Sequence, residues 1–347
     1  MGNLLYYISI MKYHVIMFGC QMNFADAEKV AGSFESRGYK KTSNINEANA
    51  IAVVMCSVRQ AAVDRVFGLI EKFKKLKKKP TTILTGCILK KDKKTFSGLF
   101  GHVVSINEFL NKKKTLLPSE RAYITISNGC NNFCTYCVVP YTRGRLTCIS
   151  HKKIIQEVKD SINPPAGGGS REIWLLGQNV NDYSSPSDKS IDFPKLLKMV
   201  DNLPGNFKIF FMSPNPKNFS DHLIKAMKDC KKFSLYLNLP VQAGDDEILK
   251  KMNRPYTAKK YIELVKKIRK ALPNINLSTD VIVGFPGETK KQFDNTVKLF
   301  KKVKFNIAYI NKYSPRWGTA ASKMEDNVPW EEKKRREKIL IDFVNKK

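Results

Sequence analysis

Apolar residues fall in two alternating patterns along this chain. Short runs with β-branched content occupy residues 13–18 (Tyr-His-Val-Ile-Met-Phe), 50–55 (Ala-Ile-Ala-Val-Val-Met) and 81–85 (Thr-Thr-Ile-Leu-Thr). Longer stretches with apolar residues at helical spacing separate them, one from about Phe24 to Arg37 before Gly38, one from about Arg59 to Lys78 before Pro80. Strand and helix in alternation predict a parallel sheet.

A basic linker, residues 111–118, leads into a second series. Its predicted strands are Ala122–Ser127, Glu172–Leu176, Lys208–Met212, Ser234–Leu239, Leu277–Val283 and Phe305–Ile310. The stretches between carry apolar positions at helical spacing, such as Ile154, Ile155, Val158 and Ile162, or Ile262, Val265, Ile268 and Leu272. Six βα units are too few to close an eight-stranded barrel, so an open, partial TIM-like barrel is expected, with its chemistry at the C-terminal ends of the strands. The whole chain therefore reads as α/β: an N-terminal parallel-sheet domain over residues 1–117, then a (β/α)6 partial barrel over residues 118–347 that ends in an amphipathic helix near Pro329–Phe343.

The first strand of the second series runs into Asn128-Gly-Cys-Asn-Asn-Phe-Cys-Thr-Tyr-Cys137. Cys130, Cys134 and Cys137 place three soft thiolate donors within one short loop, which suits three corners of an iron–sulfur cube. No fourth ligand is nearby. A cube held by three protein thiolates leaves one iron open, able to take a small molecule through its amino and carboxylate groups. A structural zinc site would want a fourth Cys or His, and His14, His102, His151 and His222 all lie outside the loop. A disulfide does not suit closely spaced, odd-numbered cysteines in a lysine-rich chain of a reducing compartment.

A second constellation comes from the first series. Each of its three strands is followed by a cysteine: Cys20 in Gly19-Cys-Gln-Met-Asn23, Cys56 in Met55-Cys-Ser-Val-Arg59, and Cys87 in Gly86-Cys-Ile88. Strand ends of an open parallel sheet share one crevice, so these cysteines are expected to converge. A single one of them would read as an ordinary buried thiol, as Cys148 and Cys230 do.

Charge adds a partner. Lys+Arg 61 against Asp+Glu 31 leaves a net charge of +30, which favours a polyanion, nucleic acid first among them. Lysine doublets recur everywhere, so part of the excess belongs to solvated helix faces. The apolar N-terminal stretch is broken by Lys12 and His14 before it could span a bilayer, and it lacks a basic n-region or a myristoylation pattern. A cytoplasmic protein, without membrane attachment and monomeric, is expected.

Together these residues resemble the radical S-adenosylmethionine (SAM) methylthiotransferases, and within them the tRNA-modifying MiaB type. Phe18-Gly-Cys-Gln-Met-Asn23, Cys56-Ser-Val-Arg59 and Gly86-Cys87 are similar to the three cysteine motifs of that family's N-terminal domain. Gly129 to Arg145 resembles its SAM loop almost residue for residue, with Tyr136 as the aromatic before the last cysteine. Leu175-Leu-Gly-Gln-Asn-Val-Asn181, Leu239-Pro-Val-Gln-Ala-Gly244 and Asp280-Val-Ile-Val-Gly-Phe-Pro-Gly-Glu-Thr289 resemble its further motifs, the first being the one that separates the type from relatives acting on ribosomal protein S12 or on another tRNA base. The resemblance implies two 4Fe–4S clusters, an auxiliary one on Cys20, Cys56 and Cys87 and the SAM-cleaving one on Cys130, Cys134 and Cys137. It implies SAM as methyl donor and radical source, with Tyr136, Gln178, Asn179, Ser213, Gln242, Asp280 and Gly284 around it, and an electron donor such as flavodoxin or ferredoxin.

The substrate so implied is tRNA carrying N6-isopentenyladenosine at position 37, methylthiolated at C2. That carbon bears no acidic proton for a base to remove, which is why radical chemistry is required. The base would have to leave the anticodon stack, with Arg143 and Arg145 as contacts or else as partners in surface salt bridges. Three departures from the family pattern stand out: Leu146 in place of Glu, Ile88-Leu-Lys90 after the third cysteine, and no stretch resembling the RNA-binding TRAM domain. A non-catalytic iron–sulfur protein that binds RNA is the reading from another class, and six intact candidate ligands argue against it.

Overall fold

The computed structural model describes residues 10–58, 60–109, 120–164 and 168–345. The chain divides into two compact units, Met1–Leu117 and Pro118–Lys347. The linker expected at 111–118, and Arg59 of the second cysteine motif, lie outside the described residues.

In the N-terminal unit five parallel strands lie in the order Lys40–Lys41, Lys12–Met17, Ala50–Cys56, Thr81–Cys87, His102–Val103. The central strand Ala50–Cys56 is buried at every residue, which explains its unbroken apolar run. Its alternate side chains serve two cores. Ala50, Ala52 and Val54 meet Val30, Ala31 and Phe34 of the helix Gln21–Glu35. Ile51, Val53 and Met55 meet Val63, Val66, Leu69, Ile70 and Phe73 of the helix Gln60–Lys74 on the opposite face.

Two helix boundaries differ from the sequence expectation. The first helix begins at Gln21 instead of Phe24, because Cys20 is its extended N-cap residue and Asn23 closes a capping box with it. The second stops at Lys74, since residues 75–79 are lysines around a single Leu76 and offer no apolar face to bury.

The C-terminal unit holds six parallel strands in sequence order, Arg121–Thr125, Glu172–Leu176 and Lys208–Phe211, then Tyr236–Asn238, Asn276–Val283 and Ile307–Lys312. A lone bridge between Ile209 and Phe233 joins the two groups of three, and the series is open at both edges. This is the expected partial barrel. The fourth strand is shorter than expected because Leu235 adopts a left-handed conformation with φ of 53° just before it. The sixth starts two residues late: Lys304 ends the preceding helix left-handed, and Phe305 turns into the core against Phe300 at 5.1 Å.

The helix Trp330–Asn345 docks on this unit through charge as well as apolar contact. Arg336 donates to Glu288 Oε2 at 2.8 Å and to Glu332 at 2.8 Å, while Lys333 reaches Asp326 at 2.6 Å. The Arg336 and Glu288 side chains are 4% and 1% exposed. Removing one partner of such a pair strands the other charge in the interior. Arg336→Ala is expected to cost about 3–5 kcal/mol, read from the midpoint of denaturant unfolding.

Candidate cluster and cofactor sites

Beyond Thr125 the first barrel strand continues through Ile126 into Ser127–Asn128, which pairs antiparallel with Thr147–Cys148. That pairing closes the base of the loop carrying Cys130, Cys134 and Cys137. Gly129 sits there with φ of 79°, and a Cβ on it would lie 2.2 Å from the carbonyl oxygen of Arg145, so only glycine fits. Cys130 N–H donates to Gly144 O at 3.2 Å, and Gly129 N–H to Gln178 Oε1 at 2.5 Å.

A second segment holds the loop's far side. Thr135 N–H and Oγ1 donate to Met252 O at 3.1 Å and to Lys251 O at 2.8 Å. Asn253 Nδ2 donates to Asn132 O at 3.0 Å and to Phe133 O at 3.1 Å. Asn253 adopts φ of 56°, a conformation asparagine tolerates better than most residues.

The sulfur atoms are met by donors. Asn132 Nδ2 lies 3.4 Å from Cys130 Sγ, and Arg254 Nη1 lies 3.7 Å from Cys134 Sγ. Arg254 is 7% exposed and is fixed by Tyr256 OH and Pro240 O, each at 2.8 Å. Burial pushes the Cys137 thiol up to about 12, and Cys134 and Cys130 beside it add to the rise. The Cys130 thiol is raised by burial in the same way, with Cys134 and Asp182 contributing. The Cys130 and Cys137 thiols resist becoming thiolates unless positive charge enters beside them. An iron core supplies that charge, and coordination deprotonates a thiol outright. Among the described residues no three of His, Cys, Asp and Glu gather tightly enough for a single metal ion. The fit therefore rests on the thiols' mutual influence and on the N–H donors around sulfur, which are what a cluster's ligands take.

The residues expected around SAM divide. Tyr136 packs on the barrel core beside Arg254, and burial raises its hydroxyl well above the usual tyrosine range. Asn179 is 1% exposed, donates to Asp182 and leaves its Oδ1 buried without a hydrogen-bond partner among the described residues. Gln242, left-handed at φ of 69°, donates its N–H to Asp280 O at 2.8 Å, and Asp280 Oδ2 accepts from Asn238 at 3.0 Å. Ser213 is left-handed as well, at φ of 60°, just past the strand Lys208–Phe211. Asn179, Ser213 and Gln242 follow the C-terminal ends of barrel strands, and Asp280 lies within the strand Asn276–Val283.

Three of the expected residues make structural contacts of their own. Gln178 spends its side-chain oxygen on Gly129 N–H and braces the cysteine loop. Gly284 faces the C-terminal helix: a Cβ there would meet Lys333 Cγ at 2.4 Å, and its N–H is bound to Glu288 at 2.6 Å. Arg143 is no surface contact, since it is 4% exposed and donates to Asn128 Oδ1 at 3.0 Å under the loop. Arg145 is exposed, with its guanidinium 4.4 Å above the Phe133 ring.

Two residues escaped the sequence reading. Arg254 reaches Cys134 from 120 residues away, and Asp182 accepts from both Asn179 and Asn218. The turn Asn253-Arg-Pro255, with a cation between two breakers, is a signal that could have pointed to the first. Nothing in the sequence singled out the second.

In the N-terminal unit Cys56 and Cys87 are direct register partners on adjacent strands, each 4% exposed. Cys20 lies three residues past its strand, exposed at the helix N-cap, so it does not close the strand as expected. Gly19 nevertheless brings that turn against Cys56, whose Cβ is 3.1 Å from where a Gly19 Cβ would stand. Buried Asn23 ties the turn down, its Nδ2 donating to Met55 O at 3.0 Å and its Oδ1 accepting from Cys20 Sγ at 3.4 Å. Gly86 is required before Cys87, for a Cβ there would sit 2.3 Å from Met55 O. The topology thus gathers the three thiols at one edge of the sheet.

Comparison with known proteins agrees with this division. The radical SAM superfamily model matches residues 124–300, and a model described as uncharacterized protein family UPF0004 matches residues 12–107. A tRNA-2-methylthio-N(6)-dimethylallyladenosine synthase of Clostridium novyi (strain NT) is 40% identical over 96% of this chain and 81% of its own length. One from Clostridium perfringens (strain SM101 / Type A) is 40% identical over 95% of the chain and 81% of its own. Among solved structures, the methyltransferase TsrM from Kitasatospora setae superposes with a TM-score of 0.62 at 13% identity, covering 90% of this chain and 77% of TsrM. The cobalamin-dependent enzyme OxsB does so with a TM-score of 0.60 at 10% identity, covering 97% of this chain and 56% of OxsB. At those identities the likeness is one of fold.

Proposed function

Since the chain belongs to the tRNA-2-methylthio-N(6)-dimethylallyladenosine synthase family of radical SAM enzymes, we propose that its two cysteine trios divide that family's reaction between them. The enzyme methylthiolates C2 of N6-isopentenyladenosine at position 37 of tRNA, with SAM and iron–sulfur clusters as cofactors. In our reading Cys130, Cys134 and Cys137 hold the cluster that takes SAM, and Cys20, Cys56 and Cys87 hold the auxiliary one. When bound, these groups supply an electron to the SAM sulfonium and sulfur to the product, chemistry that no side chain could perform.

The chain's own residues position and shield. Segment 251–254 and Gly129 fix the loop that carries three ligands, so the thiolates are preorganised. Arg254 sets a buried positive charge beside Cys134, which offsets part of a thiolate-rich cluster's negative charge. Asn179, with its buried Oδ1, is the candidate acceptor for an N–H of the SAM amino group. Ser213 and Gln242, just past strand ends, and Asp280, within its strand, offer further polar groups. Arg145, exposed beside Phe133, remains the RNA contact of this loop.

The electron is taken from a small donor of the flavodoxin or ferredoxin kind, and the enzyme works as a monomer in the cytoplasm. Among the described residues no helix is long and apolar enough to cross a membrane. The observation that carries the proposal is the triply pinned cysteine loop at the strand ends of the partial barrel. Its test is mass spectrometry of tRNA nucleosides from a host lacking this modification, with and without the chain. Conversion of isopentenyladenosine to its 2-methylthio form is expected. Unchanged isopentenyladenosine, with the chain expressed and iron-loaded, would overturn it.

A further inference from the structure

A surface cavity reaches the cysteine loop of the barrel unit. Its volume is about 420 Å³, and the segment that pins the loop forms part of it, with Lys250, Asn253, Arg254 and Lys260 in the lining. Arg254 reaches both ways: it lines this cavity, and its Nη1 stands 3.7 Å from Cys134 Sγ. Asn253, exposed in the same lining, donates to Asn132 O and Phe133 O of the loop. A single side chain therefore links the cavity to a sulfur proposed to hold the SAM-cleaving cluster.

The cavity's surroundings are basic. Lys250 and Lys260 are exposed and enter none of the ion pairs found among the described residues. Lys251 and Lys259 stand exposed beside them in sequence. Two acids share the lining, Asp246 and Glu247, both in the first turn of the helix Asp246–Lys251, and Asp246 accepts from Ala258 N–H at 2.7 Å. Four lysines and Arg254 outweigh them, so an acidic partner is favoured. What has to reach a buried sulfur without touching it is an electron: transfer between protein-bound centres weakens exponentially with distance, so a donor must seat where little protein intervenes. A nucleic acid has no such requirement.

We infer that the surface around this cavity, with Lys250 and Lys260 as its charged contacts, is where an acidic one-electron carrier protein docks to reduce the cluster on Cys130, Cys134 and Cys137. This rests on the electron-donor reading above and names the place of entry. With a flavodoxin as carrier, the anionic flavin hydroquinone loses one electron and becomes the neutral semiquinone, and the cluster gains that electron; no bond is made or broken and no proton moves. Electron-transfer partners meet transiently over small interfaces, with opposite charge steering the encounter. Exposed lysines that no acid of the chain neutralises suit that use.

The experiment uses the iron-loaded full chain with an acidic flavodoxin as the probe. Calorimetric titration of the oxidised flavodoxin gives the affinity, and 5′-deoxyadenosine formation is followed with electrons from reduced flavodoxin or from dithionite, a small reductant that needs no docking surface. Replacing Lys250 and Lys260 together by Glu should weaken flavodoxin binding by about tenfold at low salt, with the loss shrinking as salt rises. Cleavage driven by subsaturating flavodoxin should fall in step, whereas dithionite-driven cleavage and iron content stay at wild type. The matching Lys-to-Arg double variant should keep the wild-type affinity. As comparison, Lys225 and Lys228, exposed on the helix Asp221–Asp229 outside this cavity, are changed to Glu together and should alter the affinity little. Equal losses from the two Glu pairs, an unmoved affinity in the first pair, or a parallel fall with dithionite would each overturn the inference. So would displacement of flavodoxin by an anticodon stem-loop oligonucleotide whose own affinity drops in the first pair, since the surface would then belong to RNA. No binding of flavodoxin by wild type would remove the protein-donor reading itself.

Discussion

Cys134→Ala is expected to reduce SAM cleavage to the uncatalysed background, whereas Cys56→Ala should leave cleavage in place and stop methylthiolation. The argument starts from where each thiol sits. Cys134 is the middle cysteine of the loop at the barrel strand ends, with Arg254 Nη1 3.7 Å from its sulfur. Cys56 ends the central strand of the other unit, paired in register with Cys87. A cube that keeps two of its three protein ligands is lost or mis-held, and each variant should then retain about four of about eight iron ions per chain. Iron analysis and production of 5′-deoxyadenosine measure the two consequences separately. Equal loss of cleavage in both variants would end the proposed division of labour, and about four iron ions in wild type would end the two-cluster reading.

What could be read from the sequence followed the range of the interactions involved. The loop cysteines could be placed together because three thiols within eight residues need only local backbone to converge. The strand-end cysteines were legible one step further out, through the rule that parallel strands finish at one edge, and Cys56 and Cys87 obey it to the residue. Cys20 departs from it because the turn after Met17 spends three residues reaching the helix N-cap. The structural contacts of residues inside motifs were not legible in the sequence. Gln178, Arg143 and Gly284 each serve a contact with a backbone or side chain remote in sequence, and motif position carries no record of which neighbour is nearer. Arg254 and Asp182 stayed hidden for the same reason. A guanidinium brought to a sulfur by a turn 120 residues on is a fact of three dimensions.

Gly129→Ala should be nearly as damaging as loss of a ligand, although no atom that touches iron is changed. At φ of 79° the backbone is left-handed, and an added Cβ would lie 2.2 Å from Arg145 O and 2.6 Å from Gly144 O. Those are main-chain atoms and cannot swing aside. The strand pair Ser127–Asn128 and Thr147–Cys148 would have to part, and the bonds from Cys130 N–H to Gly144 O and from Gly129 N–H to Gln178 would go with it. Gly144 supplies the control, because it is left-handed too, at φ of 81°, yet has nothing within 4 Å of where its Cβ would be. Gly144→Ala therefore bears only the conformational cost, about 1–2 kcal/mol, and should keep its iron and its SAM cleavage. Gly129→Ala should fall to about four iron ions per chain and lose SAM cleavage. If both variants behave alike, close approach at the base of the loop is not what holds the ligands in place.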